Sequence, residues 1–385
     1  MKVTGIICEY NPLHLGHRKQ LSALRTLQGP DSGIVCLMSG NYVQRGAPAI
    51  FHKSHRARAA IACGADLVLE LPVTTALSSA EGFAAGGVRI LSPFCTHLCF
   101  GAENPDADTL QHLAKTLLRD DFTEALRKEL DKGLSFPAAR QAALEAMGLN
   151  ADVLSAPNNI LAIEYCKAIL AQESNIEPLP IHRGGNYHDI AADADNPSAT
   201  AIREQILSDA EWKSYLPPEA AGIFAGAAVH TLQAGERAVL AKLRCMSDDQ
   251  FEALPYGSEG LWRKFMHACR REATIESILT ATKSKRYTRS RLDRMLMCAF
   301  LGITNADIDA PAPYVRVLAF NDRGRQILRR AKQTGVFANA GEVMDSPYQI
   351  LENRCADLYG LFAAAAPESP GDEFRQRVYH LSNSL

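Results

Sequence analysis

Two imidazoles stand three residues apart across a glycine in His14-Leu15-Gly16-His17. A short apolar run, Val3–Cys8, precedes them, and a helical pattern, Gly16–Leu27, follows. The pair therefore sits where a strand hands over to a helix. A helix N-terminus presents unpaired N–H groups and the positive end of the dipole, which suits a phosphate. Gly16 lets backbone or nucleotide come close. Residues three apart at a helix start face the same way, so two imidazole N–H donors can stabilise charge as pyrophosphate departs. The chemistry that fits is ATP binding with attack on the α-phosphate. A structural histidine pair, or two metal ligands lacking a third, stays open at this point.

The elements around the motif alternate. Strand patterns at Val3–Cys8, Ile34–Met38, Asp66–Leu71, His97–Phe100 and Pro178–Ile181 are interleaved with helical ones at Ser54–Cys63, Thr75–Leu91, Ala107–Leu118, Asp121–Lys132, Pro137–Met147 and Asn158–Leu170. That order predicts an α/β fold with a Rossmann-like parallel sheet covered on both faces. A further helix is expected at Ser198–Leu207 with Ser198 as its N-cap. The Pro217-Pro218 pair marks the expected boundary between a catalytic domain, 1–215, and a mainly helical C-terminal domain, 216–385. One strand-like run there, Tyr314–Phe320, suggests a small α+β unit.

Bulk properties narrow the class. The 385 residues are 47% hydrophobic and 22% charged, ordinary for a globular protein of two or three domains. The formal net charge of -2 implies no general attraction to nucleic acid, so an RNA site must be a local basic patch. Ten scattered cysteines without a CxxC pair read as reduced, mostly buried thiols and offer no zinc framework. No signal-peptide pattern and no apolar stretch of about 18 residues or more is found, so a cytoplasmic protein without a membrane span is expected.

The motifs occur in an ordered series. Gly5–His17 is followed by Gly40-Asn41-Tyr42-Val43-Gln44-Arg45-Gly46-Ala47-Pro48-Ala49-Ile50, then by Gly64–Pro72, Phe100-Gly101-Ala102-Glu103 and Pro157–Leu161. Tyr187-His188-Asp189, Ser198–Arg203, Glu259-Gly260-Leu261 and Lys285-Arg286-Tyr287-Thr288 complete it. In this order the chain resembles the bacterial tRNA(Met) cytidine acetate ligase family, within the HxGH (HIGH-type) nucleotidyltransferase superfamily, over nearly its whole length. The resemblance implies that acetate is activated by ATP as acetyl-adenylate with release of pyrophosphate. The acetyl group then passes to the N4 amine of the wobble cytidine of elongator tRNA(Met). Mg2+ is expected with ATP, and no protein ligand for a metal can be identified.

The resemblance also implies site residues. The ATP loop would be Ile7, Cys8, Glu9, Tyr10, Asn11, Pro12, Leu13, His14, Leu15, Gly16, His17, Arg18, Lys19 and Gln20. Gly101, Asn159 or its neighbour Asn158, Arg183 and Gly184 would also contact nucleotide. Ser198, Thr200 and Arg203 match the superfamily's second phosphate-binding motif, which makes His14, His17 and Arg203 the expected catalytic residues. Lys53 stands between His52 and Ser54, where the family more usually has an acidic and a bulky residue, and would serve phosphate or acetate.

An RNA surface is expected at Lys283, Lys285, Arg286, Arg289 and Arg291, where basic side chains flank Tyr287. Such groups pair with phosphates, and a tyrosine stacks on an unpaired base. A solvated loop is the alternative. Arg45, beside Tyr42, is a second RNA candidate. Two other functions use the same residues: a small-molecule adenylyltransferase, or a non-catalytic RNA-binding protein on this fold.

Overall fold

A sheet of eight strands carries the molecule, and its middle strands are built from buried, largely apolar runs. The computed structural model describes residues 1–149, 151–182, 198–208, 210–331, 335–337 and 346–382. The strands are β1 (Val3–Cys8), β2 (Gly33–Ser39), β3 (Tyr42–Val43), β4 (Ala47–Pro48), β5 (Leu67–Leu71), β6 (His97–Ala102), β7 (Glu177–His182), β8 (Val315–Asn321), β9 (Val336–Phe337) and β10 (Tyr379–Leu381). The order in the main sheet is β10-β8-β5-β2-β1-β6-β7, with β9 on β8. β3 and β4 form a separate hairpin. Every residue of β2 and β5 is buried. Runs such as Ile34–Met38 therefore lack polar alternation, as strands covered on both faces do.

β1 pairs in parallel with β2 and β6, and β6 with β7. The carboxyl ends of these strands open toward one edge, where ligands of α/β sheets bind. Helices cover both faces; Leu15–Gln28 follows β1 directly and buries Leu21 and Leu24. The expected helix at Thr75–Leu91 is two helices, Val73–Ala76 and Ala80–Leu91. Ser79 caps the second by accepting from the Gly82 N–H at 3.3 Å, the local bonding that makes serine favour helix starts over interiors.

The C-terminal strand does not form a small unit of its own. β8 lies antiparallel to β5 in the main sheet, with Leu67 opposite Phe320. Left unpaired, the apolar edge of β5 would expose its backbone donors and acceptors, and nothing in local sequence says which distant strand covers it. Asp66 locks the return. Its carboxylate accepts from Arg25 Nη2 at 2.8 Å, the Ile34 N–H at 2.8 Å and Asn321 Nδ2 at 3.0 Å. Gly324 is required beside it, because a Cβ there would lie 2.0 Å from the Asp66 carbonyl oxygen.

The helices beyond 235 pack a second core around Leu292, Met295, Leu296 and Phe300. Tyr42 from the hairpin and Val73 belong to that same core. Tyr42 Oη donates to the Cys355 carbonyl at 2.9 Å. Among the described residues no helix is long and apolar enough to cross a membrane.

Candidate active site

His14 is the N-cap of the helix Leu15–Gln28 and has extended backbone. Its Nδ1 accepts from the Gly16 N–H at 3.1 Å, and His17 Nδ1 accepts from the His14 N–H at 3.3 Å. Together they make a capping box from two imidazoles. A ring nitrogen that accepts carries no proton, so each neutral ring holds its proton on Nε2. The rings lie 3.8 Å apart between centroids. The structural reading of the pair is thus true as far as Nδ1 goes, and it orients the Nε2–H donors. The metal reading gains no support: no group of three His, Cys, Asp or Glu able to hold a metal occurs among the described residues.

The preceding loop is clamped from three directions. Arg203 Nη1 donates to the Asn11 carbonyl at 2.8 Å and Nη2 to Thr200 Oγ1 at 3.0 Å. The two segments expected to bind phosphate, far apart in the chain, are therefore joined directly. Asn11 Oδ1 accepts from the Ile50 N–H at 2.8 Å. Arg56, fully buried, donates to the Phe51 carbonyl at 2.9 Å, the Glu9 carbonyl at 2.6 Å, the Ser39 carbonyl at 3.1 Å and the Gly40 carbonyl. Sequence reasoning missed Arg56. Its partners are backbone oxygens, which leave no residue-type signal.

Within the loop the side chains divide. Tyr10 and Leu13 are buried in the core, and Tyr10 Oη meets Cys36 Sγ at 3.4 Å. Their contribution to a ligand is limited to backbone. Tyr10 itself has φ of 45°, in the left-handed region. Burial pushes the Cys8 thiol well up, and that of Cys99 up to about 12, so neither is a ready nucleophile. None of the ten cysteines forms a disulfide. Arg18 pairs with Glu219 at 3.2 Å, and Gln20 Nε2 reaches Cys99 Sγ at 3.7 Å. Gly101 lies at the carboxyl end of β6.

Ser198 is the N-cap of Ala199–Leu207, its Oγ accepting from the Ala201 N–H at 3.1 Å. Asn158 and Asn159 start the helix Pro157–Ala171, and Glu103 grips both. Its carboxylate accepts from Asn158 Nδ2 at 2.6 Å and from the Asn159 N–H at 3.0 Å. Asn159, buried, accepts from the Asn104 N–H at 3.1 Å through its side-chain oxygen. Arg183 and Gly184 lie outside the described residues.

Lys53 is committed to carboxylates: it is buried, and Nζ donates to Glu70 and Glu373 at 2.7 Å each. Arg316 also contacts Glu373. A desolvated ammonium needs such partners, and Glu373 is too distant in sequence to suggest itself. Beside them, burial and the Glu70 charge push the Glu352 carboxyl up to about 7.

The arginines of the basic loop are engaged by neighbouring segments. Arg286 pairs with Glu259 at 2.7 Å. Arg289 holds Glu276 at 2.7 Å and Asp293 at 2.8 Å. Arg291 donates to the Tyr256 carbonyl at 3.0 and 2.8 Å. Lys283 and Lys285 are exposed. Arg45 is exposed at the tip of the β3–β4 hairpin, next to Gly46. A Cβ on Gly46 would lie 2.4 Å from the Arg294 N atom. The hairpin therefore seats on the helix Arg289–Leu301, on the side of the chain that carries the other RNA candidate, the Lys283–Arg291 loop. The Glu9 carboxylate, accepting from the Gln44 N–H at 2.8 Å, ties that hairpin to the histidine loop.

Residues 1–369 match the family model described as HIGH Nucleotidyl Transferase. The tRNA(Met) cytidine acetate ligase of Acetivibrio thermocellus is 37% identical, covering 98% of this chain and 99% of that protein. That of Clostridium acetobutylicum is 37% identical over 87% and 88%. Apo TmcAL from Thermotoga maritima superposes with a TM-score of 0.92 at 31% identity, covering 100% of each chain. The same protein bound with alpha-thio ATP gives 0.89 at 30% identity, again covering 100% of each chain. The chain belongs to the tRNA(Met) cytidine acetate ligase family of HIGH nucleotidyltransferases.

Proposed function

We propose that this chain is an ATP-dependent tRNA(Met) cytidine acetate ligase. The observation that carries the proposal is the histidine pair, whose Nδ1 atoms are both engaged by backbone N–H groups. Two Nε2–H donors at a helix N-terminus suit the leaving phosphates of ATP. Family membership and an ATP analogue bound to a structural neighbour support the same ligand.

An acetate oxygen attacks the α-phosphorus in line, the bond to the β-phosphate oxygen breaks, and pyrophosphate leaves. The cytidine amine then attacks the acetyl carbonyl, AMP leaves and the amine loses a proton. His14 and His17 stabilise the departing pyrophosphate, while Ser198, Thr200 and the N-terminus of Ala199–Leu207 receive its far end. Arg203 holds the loop through Asn11 and keeps the two motifs in register. Gly101 and Asn159 flank the nucleoside. Mg2+ would accompany the triphosphate, as it usually does with nucleotides. The substrates ATP, acetate and tRNA put the reaction in the cytoplasm. Acetate-dependent exchange of labelled pyrophosphate into ATP tests the first step: exchange without acetate, or none with it, contradicts the proposal.

A further inference from the structure

Arg58, Arg377 and Tyr379 line a groove of about 460 Å³ between the helix Lys53–Ala62 and β10. We propose that this groove is a second tRNA contact, where Arg58 and Arg377, with Arg375 next to the lining residue Gln376 in the chain, take phosphodiester groups. The proposal rests on the tRNA reading above.

The groove's cations differ from those of the Lys283–Arg291 loop. There, Arg286 and Arg289 are neutralised by carboxylates. Here, Arg58 lies over the Tyr379 ring, 5.2 Å from its centroid. Arg375 donates to the Pro370 and Ser369 carbonyls at 2.8 and 3.2 Å, which leaves its charge uncompensated. Arg377 is exposed. None of the three forms an ion pair among the described residues. The acidic neighbours have other partners: Glu373 contacts Lys53 and Arg316, Asp322 contacts His380 and Arg325, and Asp372 contacts His52 and Gln376.

Phe374, 51% exposed, stands next to Arg375. Exposed rings interleaved with arginines suit RNA, whose bases stack while its phosphates pair. Val317, Leu318 and Val378 also line the groove, and it is the arginines, not this apolar wall, that favour RNA over a protein.

Position agrees. β8 runs antiparallel to β5 and β10 parallel to β8. Arg316 and Arg377, at the starts of those strands, thus lie at the sheet end where the histidine loop sits. Four strand spacings separate β1 from β10, roughly 19 Å, so one RNA can reach both.

The test uses the full chain and an elongator tRNA(Met) transcript. Arg58→Ala/Arg377→Ala is expected to weaken binding about tenfold or more at fixed salt and to lower the salt slope by about one per arginine. Arg58→Lys/Arg377→Lys restores most of both. Acetate-dependent pyrophosphate exchange without tRNA stays at the wild-type rate and reports folding. If Arg58→Ala disturbs exchange, Arg375→Ala/Arg377→Ala carries the same expectation from an exposed segment. Wild-type affinity and slope in these variants overturn the groove, even when the enzyme acetylates tRNA. A wild-type chain that exchanges pyrophosphate but binds no tRNA overturns the tRNA reading and the groove with it. Unchanged RNA binding together with loss of a protein partner assigns the groove to that partner instead.

Discussion

Arg203 donates to the Asn11 carbonyl at 2.8 Å, joining the helix Ala199–Leu207 to the loop that ends at His14. The bond makes the second motif a brace for the first. Arg203→Ala removes a charged donor worth about 1.5–3 kcal/mol. The expected outcome is a loss of roughly 10–150-fold in pyrophosphate exchange, converted at 1.4 kcal/mol per decade. Arg203→Lys, which keeps the charge but loses the fork, is expected to recover only part.

His14 caps its helix through Nδ1, and the role proposed for Nε2–H can be tested separately from it. His14→Asn keeps an N-cap acceptor for the Gly16 N–H and deletes Nε2–H. Thermal unfolding should stay close to wild type, while pyrophosphate exchange falls by on the order of 10²–10³, the scale of a lost charge-stabilising donor. Retained exchange in this variant would show that the imidazole does not reach the phosphates.

Arg56 is expected to matter for folding. Its guanidinium serves four carbonyls in three loops. Arg56→Met leaves those oxygens without a donor, and about 3–5 kcal/mol of stability should be lost. Urea denaturation measures it.

Glu352 introduces a pH dependence. Its carboxyl is pushed up to about 7, first by burial and next by the Glu70 charge, while the Val73 N–H and Lys53 pull the other way. The folded state keeps a proton that the unfolded chain releases near the ordinary 4.5. This contribution to stability is complete below the unfolded value and is lost as pH rises through about 7. Glu352→Gln preserves the acceptor for the Val73 N–H. It should flatten the curve between about pH 5 and 8, where wild type loses on the order of 1–3 kcal/mol.

These residues mark what sequence can carry. The histidine loop was readable because strand, glycine and helix start are contiguous, and so were the buried runs of β2 and β5. Ser198 was readable as a cap for the same reason. Arg56 was not, since its targets are carbonyls at Glu9, Ser39, Gly40 and Phe51 with no side-chain signature. Lys53 invited a ligand role because its partner Glu373 lies 320 positions away. The place of Val315–Asn321 depended on which edge of β5 stood open, a question of topology. The charge run at Lys283–Arg291 hid its own counter-ions, Glu259, Glu276 and Asp293.

The basic loop yields a graded expectation. Lys285→Ala should weaken tRNA binding and reduce its salt slope by about one. Arg289→Ala, which breaks contacts to Glu276 and Asp293, should change affinity less. Filter binding at several salt concentrations distinguishes the two.

The central claim is the transfer of acetate to tRNA, and nucleoside mass spectrometry tests it most directly. Elongator tRNA(Met) incubated with the protein, ATP and isotopically labelled acetate should yield labelled N4-acetylcytidine at the wobble position, with AMP and pyrophosphate in equal amounts. Unmodified tRNA, with adenylylation of a small metabolite in its place, would contradict it.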